Sequence, residues 1–169
     1  MCDRNKLAAV AREEAEKPYH GESDHCASNI QDIVALFPQW SVEEADGLWC
    51  AAFVYHCVIL AGFKIPVHPK ESSCSLAGCA AWEEWAQADS RIEYHSGNDK
   101  AFHPAAGDVV LCDRVFNNTD HDHMGIVLEN CDNYSKRHNK FLLPVPAKAI
   151  YGSFCRTENE IFNVVNYTL

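Results

Sequence analysis

Positive charge is scarce in this chain. Fourteen Lys and Arg stand against 24 Asp and Glu, giving a formal net charge of −10 and a pI near 5.3. With no basic block or Arg-rich stripe to offset that balance, nucleic acid and anionic membrane surfaces are poor partners, since neither would be attracted. Long apolar runs are missing too, and no segment is long enough to cross a bilayer, so membrane insertion is not expected. The opening Met1-Cys2-Asp3-Arg4-Asn5-Lys6 leads into a charged helical pattern without the apolar stretch of a secretory signal. The expected location is therefore cytoplasmic at synthesis. Internal repeats, low-complexity tracts, linkers and βαβ alternation are absent as well.

What remains is globular. Hydrophobic residues make up 47% of the 169 and charged residues 22%, which suits one domain over 1–169 with a hydrophobic core. Nine cysteines are present, an odd number. Without an export signal, reduced thiols are the expectation and a disulfide framework is not.

Helical spacing dominates the first half. Lys6–Lys17 carries Leu7 and Val10 at helical intervals and stops at Pro18. Tyr19 to Ser28 reads as a polar loop; its His20, His25 and Cys26 match no common metal spacing. Asn29–Phe37 forms a short amphipathic helix closed by Pro38, and Ser41 with Glu44 fits a capping box. Cys50 to Ala61 is apolar almost throughout, the pattern of a buried helix, with Gly62 as its stop. Pro66 and Pro69 force an extended connection. Cys74 and Cys79 lie five apart, a weak half of a metal knuckle. Ala80–Ala88, with Trp82 and Trp85 on one side, is a further helix.

The second half reads as strands. Arg91 to Phe102 is polar, with a turn at Gly97-Asn98. Val109–Cys112, His123–Leu128, Phe141–Val145 and Ile161–Leu169 are short β-favouring runs separated by turns. Helices first and strands afterwards predict an α+β fold with a largely antiparallel sheet.

Two segments carry chemistry. Cys50 falls in the first turn of the buried helix, after Asp46-Gly47, where orphan N–H groups and the positive end of the macrodipole favour a thiolate. The competing reading of Cys50 is an inert buried thiol. His123 opens an apolar strand and is the best placed of nine histidines to act as a base for that sulfur. Gly125, on the same strand face, leaves space beside its ring. His56, inside the central helix, should point away from the thiol. Asp120-His121-Asp122-His123 could instead bind a divalent ion, but it lacks the glycine and closing glutamate of a calcium loop.

Taken together, Trp49-Cys50-Ala51-Ala52-Phe53-Val54, then Pro104-Ala105-Ala106-Gly107-Asp108-Val109-Val110-Leu111 and His123-Met124-Gly125-Ile126-Val127 resemble the CHAP family. These are the cysteine, histidine-dependent amidohydrolase/peptidases of bacteria and their phages. The resemblance spans almost the whole chain. It implies a papain-like fold, Cys50 as nucleophile, His123 as base, bacterial peptidoglycan as substrate, no cofactor and no metal. It also implies action on the cell wall after release or non-classical export.

The pattern is incomplete at its third member. Family members place an acidic or amide residue, often a glutamate before Gly-Asn, on the strand after the histidine strand, where it orients the imidazole. Here that strand reads Phe141-Leu142-Leu143-Pro144-Val145-Pro146-Ala147-Lys148, with no such group. Glu129 lies on the histidine strand itself, about 20 Å from His123 at strand rise. Asp122 faces the opposite side, and Asn130, Asn133 and Asn139 cannot be ranked. Two alternatives therefore stand beside the hydrolase: an inactive binding domain that keeps the fold, and a thiol-rich metal-binding protein.

Overall fold

The computed structural model describes residues 3–19, 29–40, 49–99, 101–113, 120–121 and 123–129, together with the backbone of strands at 139–145, 148–154 and 162–167. Among the described residues four helices and six strands are defined, a mixed α+β architecture with an antiparallel sheet.

Helix α1 covers Arg4–Ala15, starting two residues earlier than its apolar spacing suggests. The reason is Asp3, whose carboxylate accepts the Asn5 N–H at 2.9 Å and caps the first turn. Leu7, Ala8, Ala11 and Ala15 form its buried side. Helix α2, Gln31–Val34, is shorter than the expected Asn29–Phe37, the remainder continuing as turns that bury Phe37.

Helix α3, Cys50–Leu60, is the apolar helix of the sequence, and eight of its eleven residues are buried. Gly62 ends it at φ +95°, a conformation that an L side chain resists. Helix α4, Cys79–Ala88, buries Ala81, Trp82, Trp85 and Ala86. Trp82 is fully enclosed, and its indole N–H donates to the Leu76 carbonyl at 2.8 Å. That bond removes the cost of burying the one polar atom of a large apolar group.

The strands are β1 Ile92–His95, β2 Val109–Cys112, β3 His123–Val127, β4 Asn139–Val145, β5 Lys148–Phe154 and β6 Phe162–Tyr167. Their order in the sheet is β1-β6-β2-β3-β4-β5, and every pairing between neighbours is antiparallel. Two strands correct the sequence reading. The polar stretch from Arg91 contains β1, paired with the closing strand, Ile92 opposite Tyr167. The run after Pro146 returns as β5, which forms a hairpin with β4.

On β2 and β3 the alternate residues Val109, Leu111, Met124 and Ile126 join a single core with α3. Val110, Cys112, His123 and Val127, at the intervening positions, are buried as well. A strand covered on both faces reads as a continuous apolar run, and β2 does so. The capping box at Ser41 and Glu44, the loop at 20–28, Asp46-Gly47 and the bulk of the loop at 131–138 lie outside the described residues.

The Pro104–Asp108 turn ties the sheet to α1. Asp108 is wholly buried, accepts the Ala105 N–H at 2.8 Å and pairs with the Arg4 guanidinium at 2.9 Å. Burial pushes its carboxyl upward, against the pull of the Ala105 N–H and of Arg4. Gly107 lies against the backbone of Arg4.

Candidate active site

Two helices begin where the thiols meet. Trp49, which precedes α3, and Gly78, which precedes α4, supply no side-chain cap, so neither helix start is satisfied in the usual way. The first residue of each helix is a cysteine. Cys50 Sγ and Cys79 Sγ are 3.5 Å apart, within hydrogen-bonding range for sulfur. Cys50 is 6% exposed and Cys79 is half-buried.

The Cys50 thiol is strongly acidified. The Cys79 thiol, as hydrogen-bond partner, is the largest influence holding it well below the usual thiol range. Burial opposes this, while the His123 ring, by hydrogen bond and by charge, and the Met124 backbone N–H reinforce it. The contrast within the same helix is Cys57, two turns on and fully buried, whose thiol is pushed well above the usual range by desolvation and then by Glu14. Both sulfurs are buried, so the groups that face them, and not burial, separate the two.

His123 is the first residue of β3 and 3% exposed. It stands directly across the β2–β3 ladder from Cys112. The two residues singled out in the sequence are therefore neighbours: the thiol at the head of α3 interacts with the imidazole at the head of β3. Gly125 faces Val110 across the ladder.

The turn ahead of His123 is braced. His121 has φ 57°, a left-handed conformation for a residue with a side chain. Its N–H donates to Asp113 Oδ1 at 2.7 Å, and its Nε2 meets Glu83 Oε2. Glu83 Oε1 accepts the Tyr94 hydroxyl, and burial together with that carboxylate pushes the Tyr94 phenol up to about 12. Glu83 stands one helical turn beyond Cys79, so the same face of α4 carries both the second thiol and the anchor of the β3 turn.

Other sequence candidates lie elsewhere. His56 Nε2 is 3.3 Å from Glu14 Oε2, at the α1–α3 contact and away from the sulfur pair. Glu129 pairs with Arg12 at 3.6 Å. Within the Asp120–His123 run, His121 meets Glu83 and His123 interacts with Cys50, so these two histidines have different partners. Among the described residues no cluster of three or more His, Cys, Asp or Glu could hold a metal ion. Asp122, Asn130 and Asn133 fall outside the described residues, as does the side chain of Asn139.

The sequence reading places Cys79 only in a weak half of a metal knuckle and not at the site. A signal was available. Cys50-Ala51-Ala52-Phe53 and Cys79-Ala80-Ala81-Trp82 repeat one short pattern, a cysteine, two alanines and an aromatic anchor. Both anchors are buried, Phe53 and Trp82, and the alanines let each helix start approach its neighbours closely. Compared with known protein families, curated proteins and solved structures, the chain matches none.

Proposed function

We propose that the chain is a papain-like cysteine hydrolase of the CHAP type, cleaving an amide bond of bacterial peptidoglycan. The observation that carries this reading is the acidified Cys50 thiol at the head of α3 beside the His123 ring at the head of β3. The substrate class comes from the sequence resemblance.

The chemistry follows from those groups. Cys50, as thiolate, attacks the carbonyl carbon of the scissile amide, and negative charge develops on the carbonyl oxygen. The Cys50 backbone N–H, at an uncapped helix start, is a natural donor to that oxygen. His123 holds the proton taken from sulfur and passes it to the nitrogen as the C–N bond breaks, leaving a thioester. Water then attacks the thioester carbonyl while His123 accepts its proton, and the acid product departs with Cys50 restored. The Glu83–His121 contact supports this scheme by fixing the turn from which His123 projects.

The test is turbidity loss of purified bacterial cell walls. Wild type should clear them, and Cys50→Ala and His123→Ala should each lose at least about 10³-fold in rate. Equal clearing by wild type and Cys50→Ala removes Cys50 from the mechanism.

A further inference from the structure

We propose that Cys50 and Cys79 form a reversible intramolecular disulfide when the protein meets a hydroperoxide, and that this bond suspends the chemistry of Cys50. The bond-forming half stands on the sulfur pair alone. The suspension rests on the hydrolase reading.

A nucleophile needs a base, and His123 already stands beside Cys50. A second thiol touching the first is not required for acyl transfer. It is what thiol oxidation requires, because a resolving cysteine within reach diverts the oxidised sulfur into a disulfide before it is oxidised further. The pair is well suited geometrically. Sulfur atoms 3.5 Å apart must close to about 2.05 Å, a movement on the scale of a side-chain rotation. Each cysteine is the first residue of its helix, where the backbone imposes least on the side chain. Cys50, which attacks the peroxide, is itself buried, and the half-buried Cys79 beside it gives a small oxidant its approach, whereas Cys57 and Cys112 are enclosed. Two positive helix ends face the pair and favour the thiolate that attacks peroxide.

The step balances. The Cys50 thiolate attacks one peroxide oxygen, the O–O bond breaks, hydroxide or alkoxide leaves with one proton, and Cys50 carries a sulfenic acid. Cys79 sulfur then attacks the Cys50 sulfur, the S–O bond breaks, and the oxygen departs as water with the Cys79 proton. Two thiols lose two electrons and two protons in total, and hydrogen peroxide becomes two waters. A dithiol reductant reverses the bond by exchange.

The experiment treats the full reduced chain with one equivalent of hydrogen peroxide, alkylates remaining thiols and maps peptides without reduction. The expected result is a Cys50–Cys79 crosslinked pair that dithiothreitol removes. In Cys79→Ser, Cys50 should instead be captured as its sulfenic acid by dimedone. Peroxide-treated protein that keeps Cys50 and Cys79 as thiols, or that links either of them to Cys74 or Cys112, overturns the proposal. Wall clearing is measured on both forms. A crosslinked form that clears walls as fast as the reduced form overturns the suspension. Failure of the reduced form to clear walls strikes the hydrolase reading alone, since the peptide map decides the disulfide regardless.

Discussion

Glu83 holds His121, and in doing so it sets the position of His123. The carboxylate reaches from the second turn of α4 to His121 Nε2 with one oxygen and takes the Tyr94 hydroxyl with the other. Asp113 fixes the His121 backbone N–H at 2.7 Å. A left-handed residue pinned at both its backbone and its ring gives the strand that follows little freedom in where it begins. Since α4 also begins with Cys79, the thiol pair and the histidine strand share one support.

Replacing Glu83 by Gln tests that support. The amide keeps the shape but loses the charge, so the Tyr94 phenol should titrate below its present value of about 12, although burial will keep it above an ordinary phenol. Wall clearing should slow by about tenfold, through kcat more than KM, because an orientation effect of roughly 1.4 kcal/mol is lost in the transition state. An unchanged phenol titration by ultraviolet absorbance would show that Glu83 does not reach Tyr94.

Thiol labelling against pH separates Cys50 from Cys57 without any substrate. Cys50 lies below the usual thiol range because of Cys79, His123 and the Met124 N–H, and Cys57 lies above it because of burial. Alkylation by iodoacetamide should thus persist at Cys50 as pH falls past the point where ordinary thiols go silent. It should cease only as pH passes the lowered Cys50 value. Cys79→Ala and His123→Ala should each shift that midpoint upward, with Cys79→Ala the larger. Peptide-resolved mass spectrometry gives each midpoint, and a common midpoint for Cys50 and Cys57 refutes the assignment.

Much of this arrangement was legible in the residues. The apolar run from Cys50, the stop at Gly62 and the strands at Val109 and His123 follow from periodicity and turn chemistry. Strand β1 was not, because Glu93 and His95 give a polar sequence whose pairing is decided by β6, a partner about seventy residues further on. The Cys50–Cys79 contact was hidden for a different reason. Side-chain caps mark helix starts by Ser, Thr, Asp or Asn, and here Trp49 and Gly78 stand at those positions and make no side-chain cap bond. Periodicity therefore starts that helix at Ala80, one residue short, with Cys79 outside it. An uncapped start does not by itself mark the site, since α2 also begins without a side-chain cap, after Ile30.

Stability should depend on Glu14. This carboxylate, 4% exposed, meets Lys17 Nζ at 2.6 Å, the Tyr19 hydroxyl at 2.8 Å and His56 Nε2 at 3.3 Å. Burial raises its pKa, but Lys17 and Tyr19 outweigh burial and the net shift is downward. A carboxylate depressed in the folded state contributes stability that is complete above its unfolded value near 4.5. That contribution is lost as pH falls through the lowered folded value. Lys17 is half exposed, so solvent screens its share and the buried hydrogen bond from Tyr19 matters more. Glu14→Gln should cost about 2 kcal/mol at pH 7, a fall of roughly 4–8 °C in Tm. The gap between variant and wild type should narrow as the melts are run at decreasing pH below 4.5. A gap that is constant with pH would place the loss in packing and not in charge.

Gly107 should tolerate no side chain. Its φ is +88°, and a carbon added there would land on the Arg4 backbone at the first turn of α1. Neither side can yield easily. Gly107 N–H is bound to the Val127 carbonyl at 2.8 Å, the neighbouring Asp108 is locked to Arg4, and Arg4 opens the helix that Asp3 caps. Gly107→Ala must therefore part α1 from the β2–β3 ladder, opening the Asp108–Arg4 pair and exposing a buried carboxylate. The expected loss is on the order of 3 kcal/mol, combining backbone strain with the loss of a partner for the buried Asp108 carboxylate. Arg4→Ala breaks the same pair while leaving the turn unstrained and should cost less. Denaturant melts of the two variants rank these terms, and equal midpoints would mean that the close approach at Gly107 carries no energy beyond the ion pair it shelters.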